Sequence, residues 1–218
     1  MKFFVDTADI KEINELAEMG IVDGVTTNPS LIYKSGRDFK EVIKEISEIV
    51  DGPISAEVTS LDKETMINQG KSLAEISKNI VVKVPLTYDG LIACNALSKL
   101  SIKVNVTLCF SSSQAILAAK MGASYISPFI GRLDDISNEG LLLIDEIITI
   151  YNNYPKSFNT EVLVASIRSP LQVSQVARMG AHVATIPPKI IKQMIKHPLT
   201  DTGLKSFMED WKKTGQSF

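Results

Sequence analysis

The sequence predicts the α/β class and, within it, a single (β/α)8 TIM barrel with an extra C-terminal helix. Three observations carry that reading. Eight short apolar runs alternate with helical patterns along all 218 residues. Most runs are rich in Val, Ile and Ala without polar alternation, as expected of parallel strands covered on both faces. The connections are short, and Asp6-Thr7-Ala8-Asp9 stands where an open doubly wound sheet would carry its Gly-rich phosphate loop.

In order, the candidate strands span 3–6, 24–27, 54–58, 80–84, 103–107, 125–128, 162–166 and 183–186. Before the third strand, Phe39, Val42, Ile43, Ile46 and Ile49 share one helical face, and Gly52-Pro53 follows its end. The next helix starts near Ser60 or Asp62, both good N-caps. A phrase recurs at three helix ends: Ala17-Glu18-Met19-Gly20-Ile21, Ala119-Lys120-Met121-Gly122-Ala123 and Ala177-Arg178-Met179-Gly180-Ala181. Its glycine suits a left-handed helix cap. Residues 188–197 read as the eighth helix, with His197 a cation at its C-terminus. Beyond it, Leu204, Phe207, Met208 and Trp211 fall at i, i+3, i+4 and i+7 on a further helix within 199–214, beginning near Thr200 or Asp201. Eight helices already close the ring, so this stripe needs either its own barrel as a seat or a neighbouring subunit.

Composition narrows the function. A net charge of −2 offers no basic field for nucleic acid. No apolar run is long enough to span a bilayer. Met1-Lys2-Phe3-Phe4-Val5-Asp6 reaches an acid too early for a signal peptide. The two cysteines, Cys94 and Cys109, lack metal-ligand spacing, and a reduced cytoplasmic compartment is expected. Residues 1–218 read as one domain.

Barrel enzymes keep their chemistry at the C-terminal strand ends. The polar residues there are Asp6; Thr26, Thr27 and Asn28; Glu57; Lys83; Asn105 and Thr107; Ser127; Ser166 and Arg168; and Thr185. Lys83 interrupts the apolar run Ile80-Val81-Val82-Lys83-Val84-Pro85, so it faces the barrel interior or meets an acid. Burial favours neutral lysine, the form that attacks carbonyls to make Schiff bases. Asp6 reads equally as an acid/base or as the cap of the next helix. Glu57 reads as an acid/base or as a structural partner for Lys83. Thr26-Thr27-Asn28-Pro29-Ser30 reads as a turn on local grounds. Arg132 and Arg168 are surface arginines or, if they converge, a phosphate grip. His182 and His197 read as structural, and a Ser-His-Asp triad is unsupported.

Taken together and in order, Val5-Asp6-Thr7-Ala8, Gly24-Val25-Thr26-Thr27-Asn28-Pro29-Ser30, Val82-Lys83-Val84-Pro85, Asn105-Val106-Thr107, Ser127-Pro128-Phe129-Ile130-Gly131-Arg132 and Ala165-Ser166-Ile167-Arg168 resemble the transaldolase family. The match is to its short-chain branch, which also holds fructose-6-phosphate aldolase-type enzymes, and it covers nearly the whole chain. The resemblance implies a Schiff-base lysine, Lys83, that attacks the keto carbon of fructose 6-phosphate or sedoheptulose 7-phosphate. Asp6 would take the C4 hydroxyl proton as the C3–C4 bond breaks. The dihydroxyacetone unit would then pass to erythrose 4-phosphate or glyceraldehyde 3-phosphate, a step of the non-oxidative pentose phosphate pathway. Glu57 would shuttle protons through a water positioned by Thr107. Asn28 and Asn105 would hold hydroxyls, and Ser127 would lie against the substrate. Arg132, Ser166 and Arg168 would bind the phosphate. No metal, nucleotide or flavin is implied.

Glu57 and Phe129 follow the transferases, since aldolase-type relatives have Gln and Tyr at the matching places. Two alternatives stay open: an aldolase releasing free dihydroxyacetone, and a non-catalytic sugar-phosphate-binding barrel. The expected partners are small sugar phosphates, neither nucleic acid nor membrane, and copies of the chain itself. Short-chain relatives resemble a decamer of two pentameric rings.

Overall fold

The computed structural model describes residues 1–217. Eight parallel strands close into a barrel in chain order: β1 (Lys2–Asp6), β2 (Gly24–Thr26), β3 (Ile54–Glu57), β4 (Ile80–Pro85), β5 (Val104–Cys109), β6 (Tyr125–Pro128), β7 (Glu161–Val164) and β8 (Val183–Ile186). The seam between β1 and β8 pairs Val5 with Ile186. The helices between strands are α1 (Ile10–Glu18), α2 (Pro29–Ser35), α3 (Phe39–Ile49), α4 (Lys63–Ala74), α5 (Tyr88–Lys99), α6 (Ser112–Lys120), α7 (Ile130–Asp134), α8 (Gly140–Asn153) and α9 (Pro170–Met179). After β8 come α10 (Pro188–Ile195) and the additional C-terminal helix α11 (Pro198–Thr214). The expected barrel with an extra helix is therefore the fold found.

The outward strand residues, among them Val5, Val25, Ile54, Val82, Val106 and Ile126, join the helix faces in one continuous apolar core. A second, smaller cluster of Phe4, Val81, Tyr125, Leu163 and Val183 is separate from it. Phe4 and Tyr125 meet there edge to face, with ring centroids 5.9 Å apart. A side chain at position 24 would strike the Phe4 ring at 2.6 Å, so Gly24 is what lets this plug close. Side chains alternate along a strand, so two residues on from the plug the same strands again face inward. Phe4 is thus followed by Asp6, Val81 by Lys83, Tyr125 by Ser127 and Val183 by Thr185. The inward set changes from apolar to polar in one step toward the C-terminal mouth.

Local signals decide where helices start. Asp9, not Asp6, caps α1, accepting from the Lys11 and Glu12 amides at 2.8 and 3.2 Å. Asp62 caps α4, while the Ser60 hydroxyl donates to Asp62. Gly20, Gly122 and Gly180 have φ of 71°, 83° and 87°, the left-handed conformation that the repeated phrase predicts.

Four expectations need correction. The segment read as a turn is the start of a helix: Asn28 caps α2 and Pro29 occupies its first turn, where the missing N–H costs nothing. Strands β3 and β7 end earlier than expected, and β5 runs on to Cys109 across a register shift with Leu108 at φ 63°. His197 does not end α10, which stops at Ile195; its Nδ1 accepts from the Leu199 amide at 3.1 Å and caps α11. That cap starts α11 at Pro198, before Thr200. No residue of α11 is buried, and Leu199, Leu204, Phe207 and Met208 are exposed. Among the described residues no helix is long and apolar enough to cross a membrane.

Candidate active site

Adjacent strands in register set three groups side by side, with Glu57 opposite Lys83 and Lys83 opposite Asn105. Lys83 is 5% exposed. A lone ammonium there would be costly, and the surroundings answer it twice. Its Nζ lies 2.9 Å from Glu57 Oε2 and donates to the Thr27 carbonyl at 3.0 Å. The geometry is that of the ion-pair reading of Glu57.

Asp6 ends β1 on the same floor. Thr26 Oγ1 donates to its carboxylate at 2.8 Å, and the Thr185 hydroxyl meets Thr26 Oγ1. With the Thr26 proton directed to Asp6, Thr185 is the donor in that second contact. Burial pushes the Asp6 pKa above the ordinary carboxylate value, against the opposing Lys83 charge and the Thr26 hydrogen bond.

A third chain lies deeper. Ser127 Oγ donates to Asn105 Oδ1 at 2.7 Å, and Asn105 Nδ2 donates to Ser55 Oγ at 3.1 Å. All three residues are fully or almost fully buried. Thr107 Oγ1 is also buried, yet it has no hydrogen-bond partner among the described residues. A free hydroxyl facing a cavity suits a water or a substrate oxygen.

These groups open on a cavity of about 130 Å³, lined by Asp6, Thr26, Asn28, Lys83, Thr107, Ser127, Phe129, Arg132, Ala165, Ser166 and Thr185. At ~30 Å³ of liquid volume per water, that space holds a few waters or a small polyol. Larger hollows, about 440 Å³ beside α1 and α2 and about 540 Å³ around His182, lack this convergence of inward strand residues. Among the described residues no three His, Cys, Asp or Glu side chains are grouped to hold a metal.

The rim carries the arginines. Arg132 lines the cavity, its Cζ 4.8 Å from the centroid of the Phe129 ring. Ser166 also lines it, held at φ 62°, a left-handed conformation rare for serine. Its carbonyl accepts from the Gly131 amide at 3.1 Å. A Cβ at position 131 would stand 2.3 Å from that carbonyl and 2.6 Å from Arg168 Nε, so this crossing needs glycine. Arg168 itself does not line the cavity. Its guanidinium forks onto the Asp135 carboxylate, with Nη2 2.5 Å from Oδ2.

The structure therefore gathers Asp6, Asn28, Lys83, Thr107, Ser127, Phe129, Arg132 and Ser166 around one cavity, with Glu57 and Asn105 against its floor. Arg168 stands outside. Three further residues matter that the motif reading did not assign. Thr26 and Thr185 hold Asp6, and Ser55 holds Asn105. Ser55 was open to discovery from strand period alone, two residues before Glu57 on the same inward face.

A family model described as Transaldolase/Fructose-6-phosphate aldolase matches residues 3–218. A probable transaldolase of Parvibaculum lavamentivorans is 63% identical over 216 residues, covering 99% of each chain. Another, of a Thermoanaerobacter species, is 59% identical over 215 residues with the same coverage. Among solved structures, a 3-hexulose-6-phosphate synthase superposes with a TM-score of 0.64 at 17% identity, over 86% of this chain and 90% of that one. The last is a likeness of fold alone.

The cost of burying Asp6 gives a stability test. A carboxyl with a raised folded-state pKa stabilises the fold below its unfolded pKa of ~3.9 and loses that contribution as pH rises through the folded value. At neutral pH the charged Asp6 is therefore a liability. Asp6→Asn should raise the Tm at pH 7, by ~2–4 °C for each kcal/mol recovered. The gain should shrink as the pH falls toward ~4. A calorimetric series over that pH range checks both; a lower Tm for the variant at pH 7 would contradict the burial argument.

Proposed function

This chain belongs to the transaldolase/fructose-6-phosphate aldolase family, and from that premise we propose that it is a transaldolase. It moves a dihydroxyacetone unit from fructose 6-phosphate or sedoheptulose 7-phosphate to erythrose 4-phosphate or glyceraldehyde 3-phosphate, with the unit held as a Schiff base on Lys83. The observation that carries this reading is a buried amine at the floor of a polar mouth, with Glu57 at 2.9 Å and Asp6 on the same cavity floor.

The reaction begins with a proton. Lys83 adds to the keto carbon as an amine, so its ammonium must first give up a proton. Glu57 is at hydrogen-bond distance to take it and can return it to the carbinolamine oxygen through a water. That oxygen leaves as water and the iminium forms. Thr107, whose hydroxyl is free, positions the water. Asp6 then accepts the C4 hydroxyl proton. The C3–C4 bond breaks, its electron pair flows into the iminium, and an enamine remains on Lys83 as the aldose phosphate departs. A carboxyl whose pKa burial has raised is a stronger base than an exposed aspartate and holds that proton more readily until it is returned. The acceptor aldehyde adds by the reverse of these steps, and water finally releases the new ketose. Asn28, Asn105 and Ser127 hold the three-carbon unit; Arg132, Ser166 and Arg168 take the phosphate.

On this reading the protein acts in the non-oxidative pentose phosphate pathway, in the cytoplasm, and its chemistry calls for no metal, nucleotide or flavin. We further propose a homo-oligomer, two rings of five, in which the exposed stripe of α11 seats near a neighbour's barrel mouth. Exposed Leu204, Phe207 and Met208 support an intersubunit seat.

Three measurements test these statements. Borohydride should trap a fructose 6-phosphate adduct on Lys83, and Lys83→Ala should abolish turnover while EDTA has no effect. Trapping on another lysine, or loss of activity on chelation, would overturn the mechanism. Phe129 offers no hydroxyl to the catalytic water, so the enamine should survive until an aldehyde arrives. Phe129→Tyr, alone or with Glu57→Gln, should raise dihydroxyacetone release relative to transfer; an unchanged ratio would favour neither transferase nor aldolase on these residues. Light scattering should show a large assembly for the full chain and a smaller one for a chain ending at Pro198, and a full-length monomer would remove the oligomer from the account.

A further inference from the structure

Of the three groups assigned above to phosphate, one is turned away from the cavity. Arg132 and Ser166 line the cavity, but Arg168 does not. Its Nη1 and Nη2 are engaged by Asp135 Oδ1 and Oδ2, the bidentate geometry in which a guanidinium also grips phosphate. Both side chains are about half exposed, so water can reach the pair and exchange is open. The tether is short. Arg168 Nε would stand 2.6 Å from a Cβ at Gly131, and the Ser166 hydroxyl 3.0 Å from the same point. The guanidinium stem therefore already crosses the backbone beside the serine expected to hold the phosphate.

The neighbouring acid has a different task. Asp134 Oδ1 accepts from the Gly140 amide at 3.0 Å, and Oδ2 accepts from Gln172 Nε2 at 2.9 Å. Gln172 Oε1 in turn accepts from the Arg168 amide at 2.8 Å. Asp134 ties the end of α7 to α8 and α9 and, through Gln172, fixes the Arg168 backbone. Among the described residues, the Asp135 carboxylate accepts only from the Arg168 side chain. The Arg168 fork, with Arg132 adding to it, keeps the Asp135 carboxyl well below the usual carboxylate range, so it stays anionic at working pH.

We propose that Asp135 is a displaceable clamp: it occupies Arg168 as a resident anion, and the phosphate of an entering sugar takes its place. Asp135 is then a specificity-determining residue for the reaction, because it lowers affinity for phosphorylated ligands and eases their departure. The proposal rests on the assignment of Arg132, Ser166 and Arg168 to phosphate. Exchange of one anion for another on a single guanidinium keeps Arg168 neutralised in both states, so it never faces the cavity as an unpaired cation.

The test uses the full-length protein and two ligands that differ only in the phosphate. Asp135→Asn should lower the KM for fructose 6-phosphate about two- to fivefold, the range expected for freeing one partner of an exposed ion pair. The inhibition constant of inorganic phosphate should fall by a similar factor, while the KM for unphosphorylated fructose should not. Asp135→Ser should repeat the effect, which separates loss of charge from any new amide hydrogen bond. Adding Arg168→Ala to Asp135→Asn should erase the gain. A KM for fructose 6-phosphate that rises or stays level in both Asp135 variants, or a gain that persists without Arg168, overturns the clamp. Arg168→Ala and Arg132→Ala alone examine the assignment beneath it. If neither raises the KM for fructose 6-phosphate more than that for fructose, the phosphate assignment fails and the clamp with it. If they do so and the Asp135 variants are silent, the clamp alone fails.

Discussion

The ion pair between Lys83 and Glu57 is the interaction on which the rest of the mouth depends. An ammonium 5% exposed inside a barrel cannot stand alone, and β3 supplies its partner one strand away. The register that brings Glu57 opposite Lys83 also brings Asn105 opposite it from the other side. Fixing the lysine therefore fixes three strand ends at once. The Thr27 carbonyl, just past the end of β2, adds a contact from a fourth strand end. A backbone acceptor cannot be titrated away, so it holds the amine in place in every protonation state of Glu57.

Below this floor the barrel is closed by Phe4, Val81, Tyr125, Leu163 and Val183. The plug and the polar floor are successive turns of one alternation, so neither can shift without the other. A one-residue slip in β4 would drive Lys83 outward into the helix layer and Val82 into the cavity. Gly24 belongs to the same constraint, since Phe4 needs its missing side chain. The plug geometry thus bears on the proposed chemistry as well as on stability, because that chemistry would stand on a floor whose height is set by packed side chains.

Much of this was legible in the sequence, and the residues show why. Lys83 stands out because a charged residue breaks a purely apolar run, and periodicity of two then points it inward. Strand ends were less legible, because β3 and β7 stop where loop geometry takes over from pairing, and β5 continues because a bulge at Leu108 lets it. The helix α2 was hidden by its own start: Asn-Pro begins turns and helices alike, and the seven residues that follow bury nothing that a periodic pattern could reveal. The supporting hydroxyls of Ser55, Thr26 and Thr185 were seen as polar residues or passed over, since their use depends on which neighbour they reach across the barrel. The Arg168–Asp135 fork joins residues 33 apart in two loops, a contact that no local spacing encodes.

The charges at the mouth fit the proposed chemistry. Lys83, Arg132 and Arg168 contribute three positive charges; Asp6, Glu57 and Asp135 contribute three negative ones, for a balance of 3 − 3 = 0. Two pairs are closed by contact, Lys83 with Glu57 and Arg168 with Asp135. Asp6 and Arg132 are left without an ion pair among the described residues. Asp6 answers only to the more distant Lys83 charge and a threonine hydroxyl, and Arg132 rests on an aromatic face. The unpaired acid stands where a proton would be taken, and the unpaired cation where a phosphate would first be met. On the proposed assignment, a phosphorylated sugar would find Arg132 at once and Arg168 by exchange, while its hydroxyls would reach a carboxylate that burial has made more basic. On that reading the attraction of the anion need not come from net charge, since these six groups cancel. It comes from the arrangement, with the free positive group at the rim and the free negative group on the floor, oriented along the same path that the substrate's own phosphate and hydroxyl ends must follow.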